Sequence, residues 1–167
     1  SGCPDATAKS PTVARGWQCA LTVPRELSMR DGKLCQQPVH EIERMRGDCV
    51  CATGGETVEE PGRLFDLVVS CEGAQVIELE IRKGVFVRYA DGMLTLDMGD
   101  EGYGRDQRSI ELSELRDLRV LSDTTMVEIF ANGGEAALTS RTYSPAVPAM
   151  ELHAEGAVSM NFYRLVH

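Results

Sequence analysis

The chain has 167 residues, 43% of them hydrophobic, and a formal net charge of -9. That length suits one compact domain, which hides roughly two-thirds of its unfolded surface on folding. The acidic balance argues against nucleic acid and anionic membranes as partners, since both want basic patches, and no apolar run approaches the about 18 residues of a spanning helix.

Ser1 to Gly16 carries Pro4, Pro11 and little periodicity, so it reads as loop. Ser1–Arg15 is polar without an apolar centre, which predicts no signal peptide. The first residue is not Met, so the natural start is not read from it. Gly16 to Val23 suits a strand stopped at Pro24, and Asp31-Gly32 signals a hairpin turn. Lys33 to Gln37 then gives a second strand, ended by Pro38. Residues 17–38 are therefore expected as a lone hairpin, marginal by itself. Such a hairpin is expected to be loosely attached or buried in self-association.

Val39, Ile42 and Met45 recur every three residues, as in a short helical linker ended by Gly47 and Asp48. Cys49–Thr53 reads as a short strand and Gly54–Gly62 as a polar loop. Strands then follow closely. Phe65, Leu67 and Val69 alternate; Ile77, Leu79 and Ile81 alternate against Glu78, Glu80 and Arg82. Lys83-Gly84 and Asp91-Gly92 turn into further alternating runs at Val85–Tyr89 and Leu94–Met98. Asp100–Asp106 is a Gly-rich acidic loop with no P-loop lysine and no following helix, so it is no phosphate cradle. Ser113–Asp117 suits one helical turn capped by Ser113.

Asp123 to Tyr143 is the clearest hairpin. Val127, Ile129 and Ala131 point one way, and Met126, Glu128 and Phe130 the other. Asn132-Gly133-Gly134 reverses the chain, and Ala136–Tyr143 pairs back. On this pattern Ile129 belongs to the core and Glu128 to the wet face. Met150, Leu152, Val158, Met160 and Phe162 close the chain. Many short strands joined by short turns predict an all-β, two-sheet antiparallel sandwich.

Six cysteines, Cys3, Cys19, Cys35, Cys49, Cys51 and Cys71, all precede residue 72. Cys49 and Cys51 share a strand face, but zinc pairs are usually more widely spaced and have histidine partners. His40, His153 and His167 are scattered. Reduced thiols are preferred over a disulfide or metal, which favours a cytoplasmic protein. No metal and no cofactor are expected.

The block "RSIELSELRDLRVLSDTTMVEIF" with "NGGE" and "TSR" resembles the signature hairpin of the C-terminal β-sandwich of glycoside hydrolase family 32, the invertase and β-fructosidase family. "GWQCALTVPRELSMRDGKLCQQPV" is similar to the end of that family's catalytic β-propeller, where the last blade meets the sandwich. The resemblance implies a jelly-roll or concanavalin-like sandwich. It divides the chain into a blade remnant (1–38), a linker (39–48) and the sandwich (49–167). It also implies a structural, accessory role in a sucrose or sucrose-6-phosphate hydrolase. The expected partners are the parent's catalytic propeller and, in a homodimer, a second copy. The alternative reading is a free-standing, lectin-like fructan-binding module.

Family members are retaining glycosidases with a carboxylate nucleophile and a carboxylic general acid/base. The resemblance places those acids in propeller motifs, Trp-Met-Asn-Asp-Pro-Asn-Gly, Arg-Asp-Pro and Glu-Cys. None of the three occurs in this sequence, where Arg105-Asp106 precedes Gln107 and Cys71-Glu72 has the reverse order. No catalytic residue is therefore assigned, and the chain alone is expected to be no enzyme. Glu78 and Asp97 are expected on wet strand faces, His153 on a polar face, and His40 in the linker. Arg25 and Glu26, in the "PREL" turn, are read as a structural ion pair at the blade edge. The few aromatics offer no stacking platform for a sugar.

Overall fold

The computed structural model describes residues 10–166. Cys3, Pro4 and His167 lie outside them. Among the described residues there are fourteen strands. In chain order they are β1 (Arg25–Arg30), β2 (Lys33–Pro38), β3 (Arg46–Thr53), β4 (Thr57–Glu59), β5 (Phe65–Ser70), β6 (Val76–Arg82) and β7 (Val85–Ala90). The rest are β8 (Met93–Asp97), β9 (Gln107–Glu111), β10 (Asp117–Ser122), β11 (Met126–Ala131), β12 (Ala136–Arg141), β13 (Ala149–Glu155) and β14 (Ser159–Leu165). Among the described residues helix is confined to short 3-10 segments at Val13–Arg15, His40–Met45 and Gly99–Gly102.

Two six-stranded antiparallel sheets form the sandwich, in the orders β12-β11-β10-β5-β14-β3 and β4-β13-β6-β7-β8-β9. The strand period of two puts one row of each strand inside. Phe65, Leu67 and Val69 on β5 face Ile77, Leu79 and Ile81 on β6 through a common core with Val120, Ile129, Met150, Leu152 and Phe162. Burying such side chains is worth about 1.5–3 kcal/mol each before entropy is subtracted.

β1 and β2 form a separate two-stranded sheet. Asp31 and Gly32 both have positive φ, 49° and 76°, as a type I′ turn requires. That turn pairs Arg30 with Lys33 directly and fixes the register out to Arg25 and Pro38. The first strand therefore lies after Pro24, not over residues 16–23 as expected. The main chain of residues 17–23 is held instead by sandwich side chains, with Val23 N donating to Glu128 and Gln18 O accepting from Arg141.

Three local expectations also change. β3 starts at Arg46 because β14 continues to pair beyond Tyr163, setting Leu165 opposite Arg46. The loop after Gly54 contains β4, which pairs with β13 and buries Val58. Ser113–Asp117 makes no helical turn, since Leu115 drops into the core and Arg116 N donates to Asn132 Oδ1.

Candidate functional site

The feature that distinguishes one side of the sandwich is an added layer. Residues 10–45 lie across the outer face of the β12–β3 sheet. Strand periodicity puts Met126, Glu128 and Phe130 of β11 on that face, yet all of β11 is buried. Glu128 is 2% exposed, which corrects its expected place in solvent. Its Oε1 accepts from Val23 N at 2.7 Å and its Oε2 from Arg25 Nη2 at 2.6 Å. Arg25 also donates to Thr139 Oγ1 and Gln36 Oε1, and its guanidinium lies 5.1 Å from the Phe130 ring centre. Arg25 and Glu26 thus do not pair with each other as expected: Arg25 takes Glu128 as its partner. Glu26 is exposed and meets His40 instead.

The turn after β11 completes the docking. Gln36 N donates to Gly134 O at 2.9 Å, and Arg30 reaches Gly133 O. Gly134 has φ +87°, and a Cβ there would run into the backbone of Gln36. The hairpin, expected to be loosely attached or buried in self-association, is therefore packed on the sandwich. Nearer β3, Asp66 is fully buried and accepts from Arg46 Nε at 2.7 Å and from Arg119 Nε and Nη2 at 2.9 and 2.7 Å. Two guanidiniums on one buried carboxylate satisfy its lone pairs, as burial demands. A cavity of about 270 Å³ opens beside this cluster, lined by Glu43, Asp117, Asn161 and Tyr163 among others.

The far side of the hairpin is different. Leu27, Met29 and Leu34 are 65%, 68% and 54% exposed, with Met29 directly opposite Leu34. Leu21 is 92% exposed. Apolar surface so grouped marks an interaction face.

The acids weighed from sequence do not converge. Glu78 and Asp97 flank Arg88 on the second sheet, and both pair with it. Hydrogen bonds that Arg88 donates to these carboxylates, to Glu78 above all, push it further up, and its guanidinium covers Phe86 at 4.2 Å. This is an ion-paired strand face. His153 is exposed, 3.7 Å from Glu151. Glu26, His40 and Glu41 bring ligand atoms within 4.8 Å of one another, all exposed, and are the one group of three such donors among the described residues.

The structure also assembles aromatics that are far apart in sequence. Arg141 lies 5.2 Å from both the Trp17 and Tyr143 ring centres, and Tyr143 meets Tyr103 edge-on at 5.6 Å. The guanidinium occupies one face of Trp17 and of Tyr143, so this cluster fastens the N-terminal layer. Close by, Arg82 is fully buried and has no carboxylate partner among the described residues. It donates to Ser122 Oγ and to the carbonyls of Arg63, Asp123 and Ser144, and burial pulls it down to about 10.

Comparison with known proteins gives these surfaces a setting. Residues 85–165 match the family described as "Glycosyl hydrolases family 32 C terminal". Raffinose invertase of Escherichia coli is 37% identical over 161 residues, covering 81% of this chain and 32% of that protein. Sucrose-6-phosphate hydrolase of Salmonella typhimurium is 32% identical over 145 residues, covering 81% and 28%. The chain thus spans about a third of the length of the curated relatives it matches. Sucrose-6-phosphate hydrolase from Lactobacillus gasseri shares the fold with a TM-score of 0.83 at 21% identity, over 98% of this chain and 37% of that one. Sequence match, relatives and two-sheet fold agree: the chain belongs to the glycoside hydrolase family 32 C-terminal domain family.

Proposed function

We propose that the chain is the C-terminal accessory module of a β-fructofuranosidase acting on sucrose or sucrose 6-phosphate. In this reading residues 1–38 complete the last blade of a catalytic propeller, and residues 49–167 brace its flank. The relatives' names support the reaction class. The observation that carries the bracing role is the hairpin's double character. One side is fastened to the sandwich through Arg30, Lys33 and the buried Cys35. The other presents Leu27, Met29 and Leu34 to solvent. A propeller blade on that side would cover them. The catalytic carboxylates would then belong to the propeller, and this chain would supply none.

A homodimer contact and a cytoplasmic location belong to the same proposal. The location is supported by Cys19, Cys35, Cys49, Cys51 and Cys71, none of which is in a disulfide.

The test pairs the isolated chain with the full-length parent. The isolated chain should release no fructose from sucrose or sucrose 6-phosphate. In the parent, the double variant Leu27→Asp, Met29→Asp should lower both the melting temperature and the activity. Fructose release by the purified chain, or a double variant as stable and active as the parent, would overturn the proposal. Sedimentation of the parent reads the dimer contact.

A further inference from the structure

β3 is an edge strand, hydrogen-bonded to β14 on one side only. Cys49 and Cys51 stand two residues apart on it, and the strand period puts both on one face. Their Sγ atoms are 3.4 Å apart, and both residues are exposed. On β14, Tyr163 lies opposite Cys49 and Asn161 opposite Cys51. The Arg46 guanidinium lies 4.4 Å from the centre of the Tyr163 ring. Two thiols are thus held side by side, next to Tyr163 and open to solution.

The spacing decides what such a pair can hold. Two residues of extended chain span about 6.4–6.8 Å between Cα atoms, the upper limit of what a disulfide bridges. Closing the sulfurs to a bond would require the strand to move. A shared ligand atom requires much less. With thiolate bonds of about 2.3 Å, sulfurs 3.4 Å apart subtend an angle of about 95° at the bound atom. A linear two-coordinate ion would need them about 4.6 Å apart.

We propose that Cys49 and Cys51 form a chelating dithiol for a thiophilic centre of pyramidal geometry, the class of trivalent arsenicals. The reaction is a condensation without redox change. Two S–H bonds and the As=O bond of an arsine oxide are lost, two S–As bonds form, and both thiol protons leave with the oxygen as one water. Arsenic stays trivalent. Cys49 pushes the Cys51 thiol up by hydrogen bonding and charge repulsion, so the pair resists becoming two thiolates. The arsine oxide removes that obstacle by taking up both protons.

Phenylarsine oxide is the reagent for the test, with the protein reduced by a phosphine and read by intact mass. The wild-type chain should gain one phenylarsenic group, which excess glutathione leaves in place and ethanedithiol removes. Cys49→Ser and Cys51→Ser should each lose the glutathione-resistant adduct. Cys19→Ser, which removes the other exposed cysteine among the described residues, should keep it. All these positions are exposed, so melting curves of the variants should match wild type. A resistant adduct that survives in Cys49→Ser or Cys51→Ser, or its absence from wild type, would overturn the proposal.

Discussion

Arg25 and Glu128 are 103 positions apart in the chain and 2.6 Å apart in the fold. Glu128 is buried, and Arg25 is its charge partner. Removing one member of such a pair strands the other. Glu128→Ala should therefore cost about 3–5 kcal/mol, where an exposed strand acid would cost almost nothing. Urea unfolding measures the loss. A change within about 0.5 kcal/mol, the range of ordinary surface substitutions, would show that the pair holds nothing together.

Ile129, next in sequence, points the other way into the core and is 0% exposed. Ile129→Asp buries a carboxylate with no partner. The cost of several kcal/mol is a large share of a domain's stability of about 5–15 kcal/mol. The variant should lose the cooperative thermal transition. A well-folded Ile129→Asp protein would contradict the core assignment.

Gly134 and Gly55 allow a matched comparison. Their φ values, +87° and +85°, are nearly equal, but only Gly134 has the hairpin backbone against it. Gly55→Ala carries backbone strain alone, about 1–3 kcal/mol. Gly134→Ala should be worse and should release the hairpin. Trp17 is the only tryptophan. Its emission should be independent of protein concentration in wild type and move red in Gly134→Ala. Equal behaviour of the two variants would show that Gly134 serves the turn and nothing else.

Burial, with the negative charge of Asp117 second, pushes the Cys71 thiol from 9.0 up to about 12. The folded state keeps the proton that the unfolded chain gives up near 9.0. This group's contribution is therefore complete below about pH 9 and is lost as pH rises towards about 12. Wild type should lose stability between pH 8 and pH 10.5 by more than Cys71→Ala does. At pH 8 iodoacetamide should modify the exposed Cys19 in the folded protein and Cys71 only after unfolding. Equally fast labelling of Cys71 would show an open core.

The sandwich was legible because period-two alternation fixes which row of a strand is apolar. Phe65, Leu67, Ile77, Leu79 and Ile129 all lie inside as their spacing requires. The added layer was not legible, because alternation says which way Glu128 points and nothing about what covers it. A weak signal was present: Glu128 lies between Met126 and Phe130 on its own face, and an acid flanked by two large apolar residues suits a covered ion pair. Pro24, taken as a stop, misplaces the first strand of the N-terminal hairpin. The two-residue turn at Asp31-Gly32 dictates that pairing continues from Arg30 back to Arg25. The Trp17, Arg141 and Tyr143 cluster depends on a contact between the two ends of the chain, which spacing cannot report.

The seam through Arg25, Gln36, Glu128 and Gly134 bears on how this piece could be transplanted. A graft beginning at residue 49 would match the strand count of the sandwich and leave the outer row of β11 bare. Met126 and Phe130 would then be wetted, and Glu128 would lose its counterion. The transferable unit starts ahead of Thr12, whose hydroxyl accepts from Arg141, and the hairpin travels with the sandwich as its lining.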